Sequence, residues 1–148
     1  MSGPAFGVRV TCWRDDEAAL RAVREAVFVV EQGIPPELEW DDADRTSVHV
    51  LAEAADGTPI GCARLLPEGA IGRVAVLAHW RGQGVGDRMM RALLDIARAA
   101  GHLRVSLHSQ VQACVFYARL GFAAVGDAYE EAGIAHQTMV RELAAGST

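Results

Sequence analysis

The chain has 148 residues, 51% of them hydrophobic, and a formal net charge of −5. That length makes one domain with its own core the expectation, here spanning 1–148. The acidic balance argues against general nucleic-acid binding, and no stretch approaches the ~18 uninterrupted apolar residues of a membrane-spanning helix. The start, "MSGPAFGVRV", has neither the charged lead nor the apolar core of a secretory signal. Cys12, Cys62 and Cys114 are scattered with no CxxC pair, which fits a reducing cytoplasm better than a disulfide framework.

In chain order the elements alternate between two periodicities. "FGVRVTCW" alternates apolar and polar residues, as a strand does. Asp15 or Asp16 can cap a helix in which Leu20, Val23, Val27 and Val30 share one face. "EQGIPPELEWDDADRT" reads as a loop broken by Pro35 and Pro36. "SVHVLAEA" and "PIGCARLL" are predicted strands joined through Asp56-Gly57, a hairpin signal, and "AIGRVAVL" is a third. The helix after the glycine run places Val85, Met89, Leu93, Ile96 and Ala97 on its buried face and ends at Gly101. "LRVSLH" is a strand and "VQACVFYARL" a helix stopped by Gly121; "FAAVGDAY" and "HQTMVREL" complete the strands. No internal repeat or interdomain linker interrupts this α/β order.

The segment "HWRGQGVGDRMMRALL", His79 to Leu94, carries the chemistry. A strand, a glycine turn and a helix N-terminus together make an anion site, because the first N–H groups of a helix lack internal partners and carry the positive end of its dipole. Glycines let a phosphate reach the backbone without meeting a Cβ, and Arg81 adds charge. A glycine-rich surface turn is the bland alternative for such a run. The Rossmann GxGxxG fails: from Gly82 its last glycine falls on Asp87, and from Gly84 on Met89. Walker A fails because the chain has no Gly-Lys-Ser/Thr. What remains is Arg-x-x-Gly-x-Gly, built from Arg81, Gly84 and Gly86.

That pattern resembles the acyl-CoA pyrophosphate loop of the GNAT superfamily of N-acetyltransferases. "GRVAVLAHWRGQGVG" resembles the family's fourth strand running into the loop, and "FYARLGF" its later helix and turn. With "REAVFVVEQGIP", "SQVQACVFYARLGF" and "YEEAGIAHQTMV" in the right order along nearly the whole chain, the resemblance narrows to the ElaA-type branch. It implies a central mixed, mostly antiparallel sheet with flanking helices, splayed between the fourth and fifth strands, with acyl-CoA in the gap. It implies acetyl-CoA as cosubstrate, held by the backbone of Val74, Ala75 and Val76 and by the loop Arg81, Gly82, Gln83, Gly84, Val85 and Gly86. Gln110 stands where many members carry an asparagine near the pantetheine, and glutamine makes the same amide bonds from a longer arm.

Acetyl transfer to an amine requires a neutral amine, a donor for the tetrahedral oxyanion such as a strand N–H freed by the splay, and a proton for the departing thiolate. The resemblance places Tyr117 against the CoA sulfur as that proton source; packing in a core is its alternative. Glu31, at the end of the first helix, and His108, at the end of a strand beside the splay, are the leading candidates for the base, with His49, Glu130 and His136 behind them. The acids Glu37, Glu39, Asp41, Asp42 and Asp44 fit no metal motif. Together with Glu31, Glu130 and Glu131 they would make a negative entrance favouring a cationic amine, unless they only solvate a loop. The expected partners are acetyl-CoA and an amine acceptor, with no metal, nucleic acid or membrane, and a homodimer stays open. A non-catalytic acyl-CoA-binding sensor or interaction module on the same fold is the competing expectation.

Overall fold

The computed structural model describes residues 5–143. The strands are β1 (Phe6–Thr11), β2 (Val48–Ala54), β3 (Pro59–Leu65), β4 (Ala70–Val76), β5 (Arg104–Gln110), β6 (Ala123–Glu131) and β7 (Ile134–Glu142). The helices are α1 (Trp13–Arg24), continued by a π-helical segment over Glu25–Glu31, then α2 (Pro36–Glu39), α3 (Val85–Ala99) and α4 (Cys114–Arg119). All the strands share one sheet in the order β1-β2-β3-β4-β5-β7-β6. Every neighbouring pair is antiparallel except β4 and β5.

The sheet is buried on both faces at its centre, which is why β2 and β3 carry nearly continuous small and apolar runs. Alternation along the strands sends Val50, Ala52 and Ala63 to one side, where Val85, Met89, Leu93 and Ala97 of α3 cover them. Leu51, Cys62 and Ala75 go to the other side, under Leu20, Val23, Val27 and Phe28. The predicted face of α3 is therefore the one that packs, though Ile96 is only half-buried while Met90 and Leu94 are buried as well. Gly101 and Gly121 end their helices at φ +88° and +92°, as expected of left-handed caps.

The first helix departs from expectation at both ends. It begins at Trp13, and its N-cap Cys12 makes no side-chain cap bond. Asp16 leaves the helical basin, at φ −132°, and its carboxylate accepts from Arg9 at 2.8 and 3.0 Å and from the Thr11 hydroxyl. A guanidinium across the β1 edge outbids the helix's own N–H groups. At the other end the winding loosens: Gln32 donates to the Val27 carbonyl five residues back, at 3.0 Å. The change of period rotates Val30 out of the expected face and leaves it 74% exposed.

The segment read as a loop contains α2 and a short 3-10 turn over Asp42–Arg45. Nor is it a solvated acidic loop. Glu39 and Asp44 are buried, with Arg24 between them at 2.8 and 2.7 Å. Arg64 binds Asp41 at 2.7 Å and Asp44 at 2.9 Å, and Arg73 binds Glu39 at 3.0 Å and Asp41 at 3.3 Å. Trp13 and Trp40 face the Arg24 guanidinium at 5.3 and 4.9 Å. Three arginines from α1, β3 and β4 thus neutralise three of the five acids, so an entrance made negative by all five is ruled out. Glu37 and Asp42 remain exposed.

Candidate active site

Strands β4 and β5 pair only at Ala70–Ser106 and Ile71–Leu107. Beyond Ile71 the β5-facing edge of β4 has no strand partner over Val74–Val76, where the Val76 carbonyl is taken by a side chain, Arg81. On its other edge β4 is bulged: from Cys62 to Arg64 two steps on β3 face three steps from Ala75 back to Gly72. The extra residue is accommodated by Arg73, at φ +52°. A β-bulge re-aims the backbone next to it, and this one lies where the two strands separate.

A cavity of about 1100 Å³ occupies the divergence. Val74, Ala75 and Val76 line it, as do Arg81, Gly82, Gly84, Val85 and Gly86, with Gln110 and Tyr117. Of the residues expected to hold CoA, Gln83 alone is not on the wall: its amide donates to the His79 carbonyl at 3.0 Å and closes the turn. Gly84 is the N-cap of α3 at φ +87°, and a Cβ built there would meet nothing within 4 Å. The first intrahelical bond runs from Arg88 N–H to the Gly84 carbonyl, leaving the N–H groups of Val85, Gly86 and Asp87 for an anion. At Gly86 a Cβ would stand 3.2 Å from the Phe116 ring, so glycine is what lets α4 close on the loop.

Arg81 and Glu31, predicted separately, meet in a bidentate pair at 2.6 and 2.7 Å. The Arg81 Nε also donates to the Val76 carbonyl at 2.9 Å. Hydrogen bonding to Arg81 holds the Glu31 carboxyl below its ordinary range. One residue on, Gln32 exchanges amide bonds with Gln110, the shorter at 2.7 Å from the Gln110 amide. The π-helical turn is what aims Glu31 at the loop and Gln32 at the end of β5.

Tyr117 is 8% exposed, set edge-on between Phe116 and Phe122 at 5.0 and 6.0 Å. Its hydroxyl has no hydrogen-bond partner among the described residues, and burial pushes its ionisation upward. It therefore keeps its proton at neutral pH.

The opposite partners His108–Thr138 and Gln110–His136 lie on alternate positions of β5 and β7, so all four side chains share one face. Tyr129 on β6 pairs with His136 and joins them. Its hydroxyl meets His108 Nδ1 at 2.5 Å, Thr138 Oγ1 lies 3.2 Å from the same nitrogen, and its ring stacks on His136. His136 Nδ1 donates to the Ile134 carbonyl at 2.7 Å, which leaves its Nε2 unprotonated in the neutral ring. Both imidazoles line the cavity. His49 does not: it is buried, bonded through Nε2 to the Asp44 carbonyl and tilted against Trp13. Nor does Glu130, although its neighbour Glu131 does. Among the described residues no His, Cys, Asp and Glu cluster could hold a metal ion. Sequence reading missed Tyr129, Thr138 and Gln32; the signal for the first two lay only in strand register.

A sheet opened between two parallel strands, with a glycine-rich helix N-terminus and a protonated tyrosine on one cavity, defines an acyl-CoA N-acyltransferase fold. The Acetyltransferase (GNAT) domain family matches residues 19–143, and the chain belongs to that family. Escherichia coli ElaA is 35% identical over 133 residues, 84% of this chain and 86% of that protein. The crystal structure of E. coli ElaA superposes with a TM-score of 0.83 at 31% identity, covering 93% of this chain and all of that one. An acyl-CoA N-acyltransferase from Pseudomonas aeruginosa gives 0.82 at 33% identity, covering 93% and 99%. The uncharacterized N-acetyltransferase YjcF of Bacillus subtilis is 34% identical over 81% of this chain and 88% of its own length.

Proposed function

We propose that this chain transfers an acetyl group from acetyl-CoA to a primary amine by direct attack in a ternary complex. The observation that carries the reading is the free edge of β4 over Val74–Val76, opening on the same cavity as the Gly84–Gly86 loop and the unpartnered Tyr117 hydroxyl. The pyrophosphate lies against the loop and the first N–H groups of α3. Arg81, already paired, positions the loop by joining the end of β4 to the π-helical turn. The pantetheine amides bond to the open edge of β4, with Gln110 at the end of β5.

The acceptor enters as an ammonium and loses a proton to an imidazole. Glu31 is the weaker base because Arg81 stabilises its anion. His108, which Tyr129 and Thr138 hold, takes the proton. The neutral amine attacks the thioester carbon, and a backbone N–H beside the β4 bulge donates to the oxyanion. The C–S bond breaks, the Tyr117 hydroxyl gives its proton to the leaving thiolate, and the second proton of the attacking nitrogen passes to the Tyr117 phenolate, restoring the phenol. The products are an N-acetyl amide and CoA thiol.

Tyr117→Phe tests the reading, since the ring still packs between Phe116 and Phe122. Turnover is expected to fall by about 10²–10⁴-fold, with acetyl-CoA affinity near wild type. Unimpaired turnover where chemistry limits the rate would return Tyr117 to a packing role. Acetyl-CoA bound without thiol release over a broad amine panel would make the chain a binding module instead.

A further inference from the structure

The segment from Val27 to Asp44 turns its chemistry inside out. Its acids Glu39, Asp41 and Asp44 are consumed by Arg24, Arg64 and Arg73, while the residues it presents to the cavity include Val27, Phe28, Ile34 and Leu38. Leu38 is 58% exposed yet lies on the cavity wall. Of the charges on that wall, Glu31, Glu39, Arg64, Arg73, Arg81 and Asp87 each have an opposite partner within 4 Å. Exposed Glu68 and Glu131 line it as well, and among the described residues no arginine on that wall is left unpaired to meet an acid on the acceptor.

We infer that the acceptor is a primary amine carried on an apolar alkyl or aryl body, and not a polyamine, an amino sugar or a free amino acid. The inference rests on the transferase reading and names its substrate class. An apolar wall favours a ligand that sheds water from hydrocarbon. Placed against Val27, Phe28, Ile34 and Leu38, a second ammonium, a ring of hydroxyls or a carboxylate would lose hydration without gaining a partner. The two unpaired carboxylates suffice to attract one ammonium.

The test measures steady-state acetyl transfer to 2-phenylethylamine, spermidine, glucosamine and leucine with the intact chain. The expected kcat/KM for 2-phenylethylamine exceeds each of the others by about tenfold or more. Leu38→Gln, at an exposed side chain with little part in stability, should raise the 2-phenylethylamine KM about tenfold and leave the acetyl-CoA KM unchanged; Leu38→Met should restore it. A preference for any of the three polar acceptors, no transfer to 2-phenylethylamine while another amine is acetylated, or indifference to Leu38→Gln overturns the inference alone. Failure of acetyl-CoA to bind, or binding with transfer to no amine, brings down the transferase reading, and this inference with it.

Discussion

Gly84 has a φ of +87° at the start of α3 and open space where a Cβ would stand. Gly84→Val fills that space with a branched side chain in a conformation L residues resist. CoA affinity should drop at least about tenfold, the cost of one unmet polar contact, while the melting temperature falls only modestly. Titration calorimetry on the folded variant checks this, and unchanged affinity would remove the loop from the site. The glycines and Arg81 were legible from spacing. The partner that occupies Arg81 was not, because Glu31 stands fifty residues away and reaches it only through the π-helical turn. Tyr129 gives a second residue-scale prediction. Tyr129→Phe keeps the stack on His136 and removes the hydroxyl from His108 Nδ1. If His108 removes the amine proton, kcat should fall by up to about 10²-fold through lost orientation, with the acetyl-CoA KM unmoved. Nitrogen NMR should also report a changed His108 tautomer balance. An unaltered kcat and tautomer would leave Tyr129 as edge-strand packing.

Among the elements, α1 and the segment after it diverge most from their sequence pattern. Helical periodicity places Val30 with Leu20, Val23 and Val27, and it fails at the residue where the hydrogen bonding lengthens to five residues. No local signal announces a π turn; it is worth forming because it delivers Glu31 and Gln32 to their partners. The acids of α2 and the following turn look like a hydrophilic loop until Arg24, Arg64 and Arg73 arrive from three other elements. Burying charges is costly unless they are paired, so removing one partner is worse than never having had the pair. Arg24→Met should therefore destabilise the protein by about 3–5 kcal/mol, since Glu39 and Asp44 each lose a buried partner. Urea unfolding of the variant checks this. A loss under about 1 kcal/mol, the value of an exposed pair, would mean that the cluster is solvated.

Across the whole molecule, charge pairing sets the response to acid. Asp16, Glu31 and Asp41 all ionise more readily than usual, each chiefly through hydrogen bonds from an arginine: Arg9, Arg81 and Arg64. Asp16 is lowered to about 2. A carboxyl with a depressed folded-state value adds stability above its unfolded value, near 4, and loses it as pH falls through the folded one. Stability should accordingly decline between about pH 4 and pH 2, and Asp16→Asn should flatten that decline. Urea midpoints at several pH values, wild type against variant, measure it; parallel curves would show that the Arg9 pair contributes nothing.

The sequence by itself determined the order of the strands and of the longer helices, the face on which α3 packs, the left-handed stops at Gly101 and Gly121 and the glycine turn at Arg81–Gly86 that opens α3. These follow from properties that act within a few residues: side-chain period, φ preference and unpaired N–H groups. Only the tertiary structure decided which acids are neutralised, where β4 parts from β5, and that His108, Tyr129, Thr138 and His136 share one face. Those depend on strand register and on charges meeting across tens of residues. A register shift of one position would reverse every side chain without changing a single local preference.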